Sequence, residues 1–224
     1  MIRISRRTLL GAGFTPAMLL EASDPWKDKS PSEWTDADLV RMLNNSPWAQ
    51  PVDIVFGSPE LSIVGSGPEG FIDRGPKRPG IPFVVRWLSA PPYQEAYARA
   101  TYGQGEEALK QAKEYLGRTE PHYLIGVICP PKLSAPKQES AVQERMKSET
   151  ALKRMGMADI HPDSMTTVPG KRQAIVFRFP RTSEITLADK SVEFSTVLYL
   201  SWAKIYLRRK FWLEEMIWQG RLAL

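Results

Sequence analysis

Polar and apolar positions alternate in three stretches of the second half of the chain. Gln173 to Phe179 places Ile175, Phe177 and Phe179 on one side, and Val192 to Leu198 does the same with Val192, Phe194, Thr196 and Leu198. Lys204 to Trp212 sets Ile205, Leu207 and Phe211 against Lys204, Tyr206, Arg208, Lys210 and Trp212. A period of two predicts strands with one buried face. Val168 to Lys171 and Ala188 to Lys190 carry the turn residues expected between them. Tyr123 to Cys129 is apolar on both sides, which suits a central strand, and Pro82 to Ala90 reads as another. Val52 to Phe56 and Leu61 to Val64 are shorter strand candidates.

The first half reads as helices. Thr35 caps Asp36, Ala37 and Asp38, and Leu39, Val40, Met42 and Leu43 give the apolar side before Pro47 stops the helix. A second helix runs from Tyr93 to Tyr102. Glu106 to Leu116 is a third, with Ala108, Leu109, Ala112, Tyr115 and Leu116 on one face. Lys137 to Met155 predicts a long charged surface helix, and residues 23–35 an extended lead-in. Helices come early and strands late, without regular alternation. The expected fold is therefore α+β: one domain over residues 23–224, with a mainly antiparallel sheet and helices concentrated in the N-terminal half.

The N-terminus has a different pattern. Arg3, Arg6 and Arg7 precede an apolar run of 13 residues, Thr8 to Leu20, and a short polar exit at Glu21, Ala22 and Ser23. This is the plan of an export signal. The run is too short for a bilayer core, which takes about 20 helical residues. Ser5, Arg6, Arg7, Leu9 and Leu10 fit the twin-arginine signal, whose translocase carries folded cargo. An ordinary secretory signal and a retained membrane tether are the alternatives. Cleavage after Ala22 leaves a protein expected in the periplasm or outside the cell.

Loss of that segment takes the formal net charge from +5 to +3, since three arginines and one glutamate leave with it. The remaining chain is mildly basic, so nucleic acid is not an expected partner. Cys129 is the single cysteine, so no internal disulfide forms and the core alone must hold the domain. Its place at the end of an apolar strand predicts a buried small hydrophobe. No second apolar run approaches membrane-spanning length.

Gly65-Ser66-Gly67-Pro68-Glu69-Gly70 has the spacing of a dinucleotide loop, but Phe71 to Pro76 does not open a helix. The two histidines, His122 and His161, lie in no close His/Cys cluster, so neither a metal nor any other cofactor is expected. No Gly-x-Ser-x-Gly elbow is present, and no carboxylate pair stands out. What remains is the basic and aromatic face of Lys204, Tyr206, Arg208, Lys210 and Trp212. It suits an anionic glycan, a lipid headgroup or an acidic partner. The alternative is the solvated face of an edge strand, where lysine and arginine discourage sheet-to-sheet association.

Glu33-Trp34-Thr35-Asp36, Ser46-Pro47-Trp48-Ala49, Val85-Arg86-Trp87-Leu88-Ser89-Ala90 and the closing run Phe211 to Leu224 occur in that order. Together they resemble a group of exported bacterial proteins of unknown function. The resemblance implies export and one domain, and brings no activity or ligand. Physically, these tryptophans are packing residues: Trp34 suits a hydrophobic staple with Leu39, and Trp48 folds back on the core. Met216, Leu222 and Leu224 then fasten the C-terminal segment. Two functions are left: a non-catalytic binding or structural domain of the cell envelope, possible partners being an envelope component or an anionic surface, or an envelope hydrolase using His122 or His161 with carboxylates.

Overall fold

The computed structural model describes residues 24–55, 61–63 (backbone only), 80–103, 106–118, 120–131, 133, 139–170, 172–200 and 202–224. The residues expected to form the signal, Ser5, Arg6, Arg7, Leu9 and Leu10, and the glycine-rich stretch 65–70 lie outside them.

Two antiparallel sheets carry the fold. The first has the order β1-β3-β4-β7-β6, with β1 Ala49–Ile54, β3 Ile81–Trp87, β4 His122–Ile128, β6 Ser164–Val168 and β7 Ala174–Pro180. The second has the order β2-β9-β8-β5, with β2 Leu61–Ile63, β5 Ala151–Lys153, β8 Ser191–Tyr199 and β9 Ala203–Trp212. Among the described residues five helices accompany them: α1 Pro25–Asp28, α2 Asp36–Asn44, α3 Pro91–Tyr102, α4 Glu106–Leu116 and α5 Ser140–Ser148. This is the α+β domain expected from the alternation. No helix among the described residues is long and apolar enough to cross a membrane.

The core lies between the inner faces of the two sheets. Phe83, Val85, Trp87, Tyr123, Ile125, Phe177 and Phe179 from the first sheet join Val192, Phe194, Leu198, Ile205, Leu207 and Phe211 from the second in one buried cluster. Aromatic rings make the seam. Trp87 meets Phe211 edge-on at 5.3 Å, and Phe194 touches Phe177 at 5.8 Å and Phe179 at 6.3 Å. Such pairs add to the burial of their area. The alternation on β7, β8 and β9 therefore chose the correct faces, because a slip of one residue in these strands would turn Phe177, Phe179, Phe194 and Phe211 to solvent.

Local signals explain the helix boundaries. Thr35 Oγ1 accepts from the Asp38 N–H at 3.2 Å, and Asp38 Oδ2 accepts from the Thr35 N–H at 3.0 Å. This reciprocal cap fixes the start of α2. Trp34 and Leu39, the two staple positions, are both buried in the main cluster. Pro91 and Pro92 open α3, where their missing N–H groups are harmless, and Gly103 at φ 77° closes it.

Several expectations need correction. Residues 23–35 are not an extended lead-in: α1 and a 3-10 turn, Pro31–Glu33, lie there and bury Trp26 and Trp34. The helix expected over Lys137 to Met155 ends at Ser148. Thr150, Ala151 and Leu152 are fully or nearly fully buried, and β5 pairs with β8. Thr150 Oγ1 donates to the Met146 carbonyl at 2.6 Å and lies 2.7 Å from Thr196 Oγ1, which fastens the switch from helix to strand. On α4, Leu109 is 59% exposed and not on the packed side with Ala108, Ala112, Tyr115 and Leu116. Finally, β9 is not an edge strand at its start, since β2 pairs with Ala203, Lys204 and Ile205.

The C-terminal segment is fastened as expected, by buried Met216 and Leu224 and the partly buried Leu222. It also forms a hairpin, β10 Ile217–Trp218 with β11 Arg221–Leu222. Gln219 at φ 50° and Gly220 at φ 74° make its turn. Positive φ at both central residues matches the right-handed twist of the flanking strands.

Candidate functional site

The basic face of β9 is built as the period of two requires. Ala203, Ile205, Leu207 and Phe211 are buried, whereas Tyr206, Arg208, Lys210 and Trp212 are exposed and Lys204 is half-buried. Lys210 Nζ stands 5.3 Å from the centre of the Trp212 ring. Lys204 Nζ stands 5.3 Å from the Tyr199 ring, and the Arg145 guanidinium lies 5.0 Å from the same ring. Aromatic faces hold these cations in place without neutralising them. The structure thus puts Lys204, Arg208 and Lys210 on one face, with Tyr206 between the first two.

Neighbouring strands add to the same surface. In register, Glu193 of β8 lies between Lys210 of β9 and Lys153 of β5. The Tyr199 hydroxyl donates to the Glu149 carboxylate. Desolvation works against that carboxylate, but its bonds to Tyr199 and Arg145 win and hold it below the usual range.

One side chain of β9 breaks the rule. Arg209 stands on the inner face, where an apolar residue belongs, and is half-buried. Its Nε donates to Gln50 Oε1 at 2.6 Å, and Gln50 is itself buried. Arg209 therefore joins the end of β9 to β1. Beside this bond is a cavity of about 590 Å³ whose lining includes Lys27, Arg41, Arg209, Lys210, Trp26 and Trp212. Asp24 also lines it, bonded to both Lys27 at 2.9 Å and Arg41 at 2.7 Å. Glu215 is the other carboxylate there. The Trp26 indole N–H is buried without an acceptor among the described residues. The basic face thus runs into a recess lined, among the described residues, by four cations and two carboxylates. The sequence pattern revealed Lys210 and Trp212; the part played by α1 and α2 was hidden because they are remote in the chain.

The two histidines are not brought into one reactive group. His122 Nδ1 lies 3.1 Å from Glu120 Oε1, and its Nε2 lies 2.9 Å from Asp163 Oδ2. Arg178 reaches the other Glu120 oxygen at 3.5 Å. Desolvation opposes ionisation of Asp163, but bonds to Ser164 and His122 outweigh it and hold the carboxyl below its ordinary value. Both ring nitrogens of His122 thus face carboxylates. The nearby hydroxyl of Ser164 bonds Asp163 at 3.0 Å. A nucleophile–base pair would need one ring nitrogen turned to a hydroxyl or thiol. His161 is exposed, with Nδ1 2.9 Å from the Thr150 carbonyl. Cys129 is buried, and desolvation pushes its thiol up to about 11. Among the described residues, no group of three or more His, Cys, Asp or Glu side chains is placed to hold a metal ion. Compared with known proteins, the chain matches no family model, no curated protein and no solved structure.

Proposed function

We propose that this chain is an exported, non-catalytic binding domain that holds an anionic component of the cell envelope on the β9 face. The observation that carries the reading is the run of Lys204, Arg208 and Lys210 on one side of β9, with Tyr206 and Trp212 among them, leading into the cavity bordered by Arg209. Cations spaced along a strand match repeated negative groups. The interleaved rings offer flat contact to sugar or acyl surfaces. Export rests on the N-terminal arrangement of Arg6, Arg7 and the apolar run behind them.

The test has two parts. The chain beginning at Ser23 should sediment with vesicles containing phosphatidylglycerol and not with purely zwitterionic ones, and salt should weaken the retention. Arg208→Glu with Lys210→Glu should lower retention by tenfold or more; unchanged retention overturns the binding reading. Replacing Arg6 and Arg7 by lysine should leave the full-length chain in the cytoplasm. Normal processing of that variant removes the twin-arginine route, and a wild-type chain that stays unprocessed in the cytoplasm removes export itself.

A further inference from the structure

The outer face of the first sheet holds a second recess, unrelated to the β9 face. Its floor is apolar: Leu88, Leu124, Ile128, Ala174 and Val176 line it. Gly126 lies in the middle of β4, and a Cβ there would come within 2.9 Å of Leu88 Cδ1, so glycine leaves room for Leu88 to lie across the strand. The roof is aromatic. Tyr93 and Tyr97 of α3 stack at 6.4 Å with 16° between their planes, and Tyr97 meets Tyr115 of α4 at 5.6 Å. The enclosed volume is about 500 Å³. Small-molecule pockets run from about 300 to 1,000 Å³, mostly apolar with a few convergent polar groups.

The polar groups here are cationic. Arg86, Arg118 and Arg172 line the cleft, with Glu120 as the sole carboxylate among the described residues. Glu120 is engaged by His122 and Arg178. Arg118 pairs with Glu114 on the exposed side of α4. Arg86 differs from both. Its Nη2 donates to Asn44 Oδ1 at 2.8 Å and its Nη1 to the Tyr93 hydroxyl at 3.3 Å, both neutral acceptors. Its Nε is buried with no acceptor among the described residues. A half-buried guanidinium whose acceptors are neutral leaves its charge uncompensated, which is costly in a poorly solvated place. The Tyr93 hydroxyl accepts from Arg86 and keeps its own proton to donate. Burial raises the phenols of Tyr93 and Tyr115, the latter to about 12, so both stay neutral donors.

We propose that this cleft binds a small amphipathic anion: a flat apolar body carrying one carboxylate or sulfonate. The body lies on the Leu124–Val176 floor under the tyrosines. The acid group meets Arg86 and the Tyr93 hydroxyl, with Arg172 at the rim. The ring faces suit a planar ligand, and the half-buried Arg86 guanidinium, held only by neutral acceptors, suits a negative charge.

The probe is 2-naphthoate, with neutral 2-naphthamide as its partner of equal shape, titrated calorimetrically into the chain beginning at Ser23. Naphthoate should bind at one site per chain and at least tenfold more tightly than the amide. Arg86→Gln should abolish that preference and leave amide binding within about twofold. Val176→Phe, which fills the floor, should remove both. Equal affinities for the two probes, absence of saturable binding, or a preference that survives Arg86→Gln overturns the proposal. Should Arg86→Gln fail to fold, exposed positions carry the test. Arg172→Gln should then weaken naphthoate alone, and Tyr97→Ala both probes; no change in either variant overturns it. The double charge reversal at Arg208 and Lys210 should leave naphthoate binding intact, so this site and the β9 face stand or fall separately.

Discussion

The two sheets bury their inner faces alike and treat their outer faces in opposite ways. The outer side of the first is apolar, with Val84, Ile128 and Ala49 forming a small buried cluster, and the tyrosines of α3 and α4 stand over it. On β9 the outer side of the second is charged and open, with Tyr206 and Trp212 each more than two-fifths exposed. Both sheets obey the same period of two. What differs is the residue set at the alternate positions: Leu124, Gly126 and Ile128 on β4 against Arg208 and Lys210 on β9. An apolar outer face demands a cover and gains a cleft beneath it; a basic one remains free to meet a partner.

Four substitutions test this contrast. Tyr93→Ala attacks the cover, where the ring is 3% exposed, and should cost about 3–5 kcal/mol in urea unfolding. Thr150→Val comes next. It keeps the shape but strips the buried Thr196 hydroxyl of its neighbour, at about 1–3 kcal/mol. Tyr199→Phe acts at high pH. Desolvation first, and then the bond to Glu149, raise the Tyr199 phenol from 10 to about 12. A group raised by folding contributes fully below its unfolded value and loses that contribution as pH climbs through the folded one. The decline in stability between pH 10 and about 12 should therefore be shallower in Tyr199→Phe, measured against the wild type by chemical denaturation. Smallest of all, Tyr206→Ala on the open face should change stability by less than about 0.5 kcal/mol. A Tyr206→Ala loss equal to that of Tyr93→Ala would erase the distinction between the two faces.

Much of the sandwich was legible because alternation is a local property. The inward faces of β7, β8 and β9 could be read from nine-residue windows or shorter. Strand order could not, because it depends on partners far apart: β4 pairs with β7, so Tyr123 lies opposite Phe179. The switch from α5 to β5 was masked by a stretch whose charged residues suit a helix, and Thr150 and Leu152 declare themselves only when β8 is beside them. Trp26 looked like part of a polar leader because the surface it packs on comes from elsewhere in the chain. The basic face was visible as one strand's pattern. The cleft was not, since its lining is shared among α3, α4, β3, β4, β6 and β7. Arg209 gave no local sign either, standing at an apolar position and justified only by Gln50, 159 positions away.

The Trp48 indole donates to the Ala223 carbonyl at 2.7 Å across a separation of 175 residues. Both partners are buried, so this stitch joins regions that local structure cannot bring together. Closing so wide a loop is slow, and chains governed by distant pairings refold in milliseconds to seconds, not microseconds. Folding of this domain should thus be paced by a long search, during which its strand edges stand open to pairing with other chains.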